Sequence, residues 1–508
     1  MGKITFAWTM LGLMTALTAW LAYRGFKRTR SVEGFVVGNR DISPIFVGLS
    51  LAAQLTSVAT FVVNPGLVYA FGLPALLGMG VAACLGITIG ITVLSKGFRA
   101  VGEQLSAITV PGWMGSRYKS VPLQIGFAIL SLALVSFMVL IVVAMAYVLM
   151  KMLGIPAWSA LLGVIVLVFA YVLIGGANTS VYTNSIQALI MVAVALMLVG
   201  SGAALLSDGI GAFFGKLKAI DAHLVGLVNV KSPYFRNLFE VFVCNFLVGL
   251  AIVCQPHIMG KALSLKSNRD TNRYLATAIL VGMVFMMVML VGLFARVTLP
   301  PVARIDLVIP TYINTQFSPI LGVIISIGVL CAGISTLEGL LLALSAILAT
   351  DLFIPVMRMR RQDQDIQALG KVALKLARGS LILLGGVCFY LGMNQIKNPT
   401  GGSVAIFAQY GIYCLFSASF APMLFGMFLK QTVTARVAIL SAASAVVVYV
   451  GMSLGKVTSM HNNPAVLSAF AIITSILVMV IGIVFNVFIL RSARRRVEGW
   501  SKRGPAAV

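Results

Sequence analysis

Runs of about twenty mainly apolar residues recur from one end of this sequence to the other, about thirteen in all. Each is long enough to cross the hydrocarbon core of a bilayer as a helix, the conformation that satisfies every backbone polar group within one segment. That pattern implies an all-α polytopic membrane protein, with the lipid bilayer as its solvent. With 60% hydrophobic and only 10% charged residues among 508, a soluble domain of any size is not expected. An attached kinase or nucleotidase would have no room.

Thirty-seven Lys and Arg against 13 Asp and Glu give a formal net charge of +24. The basic residues collect in short loops, so the excess reads as membrane orientation and not as nucleic-acid binding. Threading the chain with its N-terminus outside puts roughly 27 of the 37 basic residues on the cytoplasmic side. Arg28, Arg30, Lys96, Arg99, Lys261, Lys266 and the clusters at 358–361 and 494–496 are among them. The expectation is N-terminus out and C-terminus in, multi-pass in the cell inner (plasma) membrane. The first run, from Ile4 to about Ala22, is long and ends in basic residues, which predicts a retained signal anchor. All six Cys lie in apolar runs with no CxxC, so they read as packing residues. His223 and His461 lack metal-ligand spacing.

Two runs carry polar residues that a plain span would not. Residues 329–353, VLCAGISTLEGLLLALSAILATDLF, place Ser335 and Thr336 together, Glu338 two residues on, and Ala332 one helical turn earlier. Hydroxyls beside a carbonyl are hard oxygen ligands suited to a small cation, and an intramembrane carboxyl usually faces a polar cavity or a partner. Helix packing and back-bonding of the hydroxyls is the plainer alternative. Residues 46–72 carry Gln54, Thr56, Ser57, Thr60 and Asn64 on a polar side and are interrupted at Pro65-Gly66, the pattern of a broken helix. Residues 97–120 read as an interfacial turn, and 207–233 as a long outer segment. The seventh span carries Glu240, Asn245 and CQPHIMGKALSLKS from Cys254. His257 in that stretch reads as a structural cap or turn more readily than as a pH switch.

Spans two to six and seven to eleven form two sets of five. An odd number per set inverts the second relative to the first, which implies an inverted repeat. The expected division is 1–42 for the first helix and a cytoplasmic loop, 43–210 for the first repeat and 211–232 for an extracellular loop. Residues 233–430 then form the second repeat, and 431–508 two extra helices with a basic tail. The fifth span is expected to end at Gly175-Gly176.

Three stretches resemble the sodium:solute symporter family, whose members carry proline, pantothenate, sialic acid and sugars. They are GFVVGNRDISPIFVGLSLAAQLTS with its turn Gly38-Asn39-Arg40, IGGANTSVYTNSIQALIM, and CQPHIMGKALSLKS. The motifs stand in the family's order over nearly the whole chain. The resemblance implies a five-plus-five inverted-repeat (LeuT-type) core within about thirteen transmembrane helices. It also implies a sodium ion held by the carbonyls of Ala53, Thr56 and Ala332 and the hydroxyls of Ser335 and Thr336. No metal beyond sodium is expected.

Two departures stand out. The family's acidic residue on span six is Asn184 here, and its usual Trp is Tyr182. Since Glu338 appears on span nine, the expectation is that Glu338 faces Asn184. There it either serves a second cation, sodium or a proton, or makes a structural hydrogen bond. Substrate candidates by the same resemblance are Gln54, Ser57, Thr60, Asn245 and Phe246, with Tyr410 and Tyr413 behind them. Each also has a packing reading, strongest for Phe246.

The function so implied is sodium-coupled import of a small organic solute by alternating access, leaning to a monocarboxylate, a pantothenate-like acid or an amino acid. Alternatives are a proton-coupled or sodium-independent transporter of the same fold, a solute sensor, or a channel, which would need a continuous polar pore. An enzyme is not expected, for want of a nucleophile–base pair. Oligomeric state is left open, a monomer included.

Overall fold

The computed structural model describes residues 2–26, 42–265, 267–360, 366–429 and 433–501. The turn at Gly38-Asn39-Arg40 and the basic residues Arg28, Arg30 and Lys266 lie outside the described residues, and so do the side chains of the tail cluster at 494–496 and of the Gly175-Gly176 boundary.

Among the described residues the regular secondary structure is all helical. The apolar crossings are α1 (Lys3–Phe26), α2 (Pro44–Leu55) with its continuation α3 (Ala59–Phe71), α4 (Leu73–Gln104) and, past the short α5 (Val110–Tyr118), α6 (Val121–Leu153). The long α7 (Ala157–Gly200) opens with one apolar stretch, Ala157–Leu173, and its second, Ser180–Leu206, runs on past its end into a short 3-10 turn. After the short α8 (Ile210–Ile220) come α9 (Phe239–Ile252) with its continuation α10 (Pro256–Ser264), and α11 (Arg269–Thr298). The short α12 (Val308–Gln316) leads into α13 (Pro319–Arg358). Then follow α14 (Ile366–Lys397), α15 (Val404–Phe428), α16 (Ala435–Leu454) and α17 (Pro464–Ser501). Counting each bent pair once and the stretches of α7 separately, these match the expected thirteen crossings.

Lys3 bonds to Asn314, just before α13, whereas Asn486 bonds to Thr434, just after α15. Successive crossings put those positions at opposite ends of the bundle, and the two chain termini with them. The outer surface is apolar, as a lipid-facing surface must be: Ile382, Leu383, Tyr390 and Val447 are each more than two-thirds exposed.

Two crossings bend sharply, α2–α3 by 51° and α9–α10 by 53°. Each opens one set of five, the matching positions expected of an inverted repeat. The breaks have different causes. In α9–α10, Pro256 forces the preceding Gln255 into an extended conformation (φ −62°, ψ 138°). In α2–α3 the break falls at Thr56–Val58, earlier than the expected Pro65-Gly66. Thr56 leaves helical geometry at φ −106°, ψ 78°, and the Ser57 hydroxyl accepts the Ala59 N–H to start the second half. Pro65 is absorbed after a wide turn at Ala59–Val63, where its missing N–H does no harm. Gly66 is there because a Cβ would run into the Ile305 carbonyl.

Of residues 97–120, the first part, to Gln104, finishes the third crossing; a turn over 105–109 then leads into α5, which buries Trp113 completely while the Tyr118 hydroxyl donates to the Pro422 carbonyl at 2.7 Å. Small residues fix the packing of α4 on α9: Cβ atoms on Gly86, Gly90 or Gly249 would strike the facing backbone. Near the N-terminal end, Asp306 accepts from the Ser403 hydroxyl (2.6 Å) and the Val404 N–H (3.1 Å), capping α15. Enclosed by these elements, α13 is buried along nearly its whole length.

Candidate functional site

The last turn of α2 abuts the middle of α13. Helix α2 stops at Leu55, so the carbonyls of Ala53 and Gln54 are among those left without a helical donor. The partial negative charge of that helix end points at α13. There the Ser335 hydroxyl lies 3.0 Å from the Ala53 carbonyl and 3.0 Å from that of Ala332. The Thr336 hydroxyl lies 3.2 Å from the Ala332 carbonyl, 3.2 Å from that of Gln54 and 3.4 Å from that of Ala53. Both residues are fully buried. Three carbonyls and two hydroxyls thus gather in one buried place; Ala332 keeps its helical N–H, so the two hydroxyls serve chiefly the open carbonyls of Ala53 and Gln54, each donating only once at a time. Five neutral oxygens so close together, with no fixed positive charge in contact, suit a small hard cation.

Four of the five expected ion ligands therefore come together: Ala53, Ala332, Ser335 and Thr336. Thr56 closes α2 nearby, with its hydroxyl buried and unpartnered. The carbonyl of Gln54 belongs to the cluster and was missed by sequence reasoning, which used only its side chain. Where a broken helix ends is what exposes a carbonyl, and the sequence pointed to the wrong break.

Glu338 is 1% exposed. The Thr183 hydroxyl donates to it at 3.2 Å, and the hydroxyls of Ser180 and Tyr171 approach the same carboxyl. Asn184 does not face it as expected. Its amide donates instead to Ser180 (3.1 Å) and Ser50 (3.4 Å), leaving its oxygen unpartnered. Residues 183 and 184 project about 100° apart on a helix, and α7 turns Thr183 to α13 and Asn184 to α2.

Lys261 was expected in a cytoplasmic loop. It lies within α10, and its ammonium donates to the Ser50 hydroxyl at 3.1 Å. With Gln54, Ser180, His257 and Gly339 it lines a cavity of about 50 Å³ toward the C-terminal end of the bundle. His257 caps nothing: both ring nitrogens are buried without partners. The Gln54 amide reaches Ser180 at 3.5 Å, and its oxygen is unpartnered. Gly339 leaves room for this side chain, since a Cβ there would sit 2.7 Å from its amide.

The remaining substrate candidates divide. Asn245 lines a second, smaller cavity with Leu67, Tyr413 and Asn463, but its amide is engaged by the carbonyls of Glu240 (2.8 Å) and Val241 (3.2 Å), at a wide turn of α9. Ser57 is occupied as the cap of α3. Thr60 is buried, and neither it nor Ser57 lines these cavities. Phe246 presents its carbonyl to Gly86, a packing role. Tyr410 bonds to the Asn462 carbonyl.

Two sets of five helices, each opening on a broken crossing, with a polar cluster at the first break, define a secondary transporter. Comparison with known proteins gives the family. The chain belongs to the sodium:solute symporter family, whose model matches residues 35–444. It is 26% identical over 368 residues to the sodium/pantothenate symporter of Escherichia coli K12, covering 70% of this chain and 74% of that protein. It is 22% identical to the osmoregulated proline transporter OpuE of Bacillus subtilis 168, over 95% of both chains. Among solved structures, a substrate-bound, outward-open Na+-coupled sialic acid symporter superposes with a TM-score of 0.75 at 16% identity, covering 94% of this chain and 98% of that one. The nucleobase-cation-symport-1 transporter Mhp1, closed around bromovinylhydantoin, gives 0.52 at 15% identity over 89% and 94%. At these identities the structural likeness is one of fold. The protein is a sodium-coupled symporter of a small solute in the plasma membrane, and not an enzyme.

Proposed function

We propose that the protein imports a small carboxylate-bearing solute, of monocarboxylate, pantothenate-like or amino-acid chemistry, together with sodium. The sodium ligands are the carbonyls of Ala53, Thr56 and Ala332 and the hydroxyls of Ser335 and Thr336, joined by the Gln54 carbonyl. The observation that carries this reading is the buried cluster of carbonyl and hydroxyl oxygens where the end of α2 meets α13. Two named relatives transport pantothenate and proline, both carboxylates, which supports the substrate class.

Residues 43–210 and 233–430 act as the two repeats, and the N-terminus is outside, because that threading keeps most Lys and Arg cytoplasmic. The Lys261 cavity then opens toward the cytoplasm. Sodium bound between α2 and α13 bridges one broken helix to the rest of the bundle, and so biases which access state is populated. The test is uptake into proteoliposomes of a panel of labelled carboxylates and amino acids, under an inward sodium gradient against potassium or choline. Accumulation of one carboxylate in sodium alone is expected. Equal uptake without sodium, or concentration only of uncharged solutes, would overturn the reading.

A further inference from the structure

Glu338 poses a question of charge balance. An ionised carboxyl enclosed at this depth demands a countercharge, and one without it would be among the costliest features of the fold. The titratable and charged side chains that face it are Tyr171 from α7, Cys331 beside Tyr171 on its own helix, and Lys261 from α10, next to which lies His257. Among the described residues, Lys261 is the one Lys or Arg side chain joined to this carboxyl by a chain of buried hydrogen bonds.

Lys261 does not rest on the carboxylate. Its ammonium donates to the Ser50 hydroxyl (3.1 Å), and the same hydroxyl lies 3.4 Å from the Asn184 amide. That amide donates to Ser180 (3.1 Å), whose hydroxyl, with that of Thr183, meets Glu338. The ammonium and the carboxylate thus terminate one buried polar chain that crosses α10, α2, α7 and α13. Hydrogen-bonded chains of this kind spread and stabilise charge at both ends. Four helices with separate places in the two repeats are tied by it, within one turn of the Ser335–Thr336 cluster.

We infer that Lys261 is the resident counter-cation of Glu338: an ammonium attached to the chain takes the place that a second travelling cation would fill, so one sodium ion accompanies each solute. The inference rests on the sodium reading of the Ser335–Thr336 cluster for its stoichiometry, but the link of Lys261 to Glu338 stands on the hydrogen bonds through Ser50, Asn184 and Ser180. Position 261 then governs coupling. Remove its charge, and a second sodium ion is free to take that place.

The experiment uses the purified full-length protein and three variants, Lys261→Met, Glu338→Gln and the double variant. Sodium is titrated at one fixed pH and at constant ionic strength with choline. Bound sodium is followed by radiolabel and melting temperature is read in parallel. The wild type is expected to bind sodium with a Hill slope of about 1. Lys261→Met is expected to steepen toward 2. It should also melt lower than wild type, and adding Glu338→Gln should restore both the slope of 1 and part of the melting temperature. A purely structural lysine would lower the melting temperature without altering the slope, and that result would overturn the inference.

A wild-type slope of 2 that Glu338→Gln reduces to 1 would overturn the inference, because the second sodium would then sit on the carboxylate itself. So would a Lys261→Met protein identical to wild type in both readouts. If wild type and Ser335→Ala alike ignore sodium, the sodium reading fails. The pairing is then decided by the melting temperatures: rescue of Lys261→Met by Glu338→Gln supports it, and additive losses refute it.

Discussion

Removing the Ser335 hydroxyl separates the ion-binding reading of the cluster from a packing role. In the absence of sodium this hydroxyl gives one hydrogen bond, shared between the Ala53 and Ala332 carbonyls at 3.0 Å each. Ala332 keeps its helical partner, whereas Ala53 sits at the open end of α2. Ser335→Ala therefore strands one buried acceptor, a loss of about 1–3 kcal/mol in any salt. Sodium adds a second term. An ion held only by the folded state at a hundred times its Kd stabilises by about 2.7 kcal/mol. A melting temperature measured in sodium, minus that in choline at equal ionic strength, isolates the second term, since the stranded acceptor contributes equally to both. Wild type should show a rise of a few degrees. In Ser335→Ala, and in the shape-preserving Thr336→Val, most of it should vanish at the same sodium concentration. Ser417→Ala breaks a buried hydroxyl pair with Ser468 elsewhere in the bundle, and should lower both melting temperatures while keeping their difference. The reasoning is refuted if Ser335→Ala and Thr336→Val keep the full sodium-dependent rise, or if the Ser417→Ala control loses it.

Gly339→Ala should displace the Gln54 side chain, which a Cβ would meet at 2.7 Å, and reduce sodium-driven uptake at least tenfold while the protein remains monodisperse on size exclusion. Gly249→Ala, whose Cβ would strike the Ala83 backbone, should instead lower the melting temperature by the equivalent of about 1–3 kcal/mol or more, read by the same assay. Arg236→Ala should leave Glu240, fully buried, with only the Asn463 amide and the local N–H groups, at a cost of about 3–5 kcal/mol in thermal or denaturant unfolding. Asp306 gives a pH signature: burial pushes its carboxyl above the ordinary range, against the bonds from Ser403 and Val404 that pull it down. A raised carboxyl favours the folded state below its unfolded value, about 3.9, and loses that contribution as pH rises through its folded value. Asp306→Asn should therefore flatten the fall of melting temperature with pH over that acid window, and a parallel curve would contradict it.

The sequence by itself determined the class of fold, because lipid leaves a chain of repeated apolar runs no conformation but helices. It also determined the face of α13 on which Ala332, Ser335 and Thr336 coincide, since positions three and four apart on a helix are neighbours wherever that helix lies. The break before Pro256, which the sequence reading did not single out, has a cause just as local, in the clash between a proline ring and the residue before it. What only the tertiary structure decided is what those local features meet. Nothing in residues 46–72 reveals that Thr56 and Ser57 end the half-helix, because Pro65 looks the stronger breaker until a wide turn absorbs it and the Ile305 carbonyl claims the space beside Gly66. Asn245 and Ser57 looked available to a solute, yet both are spent on backbone groups that only the folded chain exposes. Lys261 looked like one more positive loop residue, and Asn184 like the partner of Glu338. The packing of α10 and α7 against α2 and α13 rearranged both, because the direction of a side chain in a bundle is set by the rotation of its helix, and that rotation is chosen by contacts hundreds of residues away.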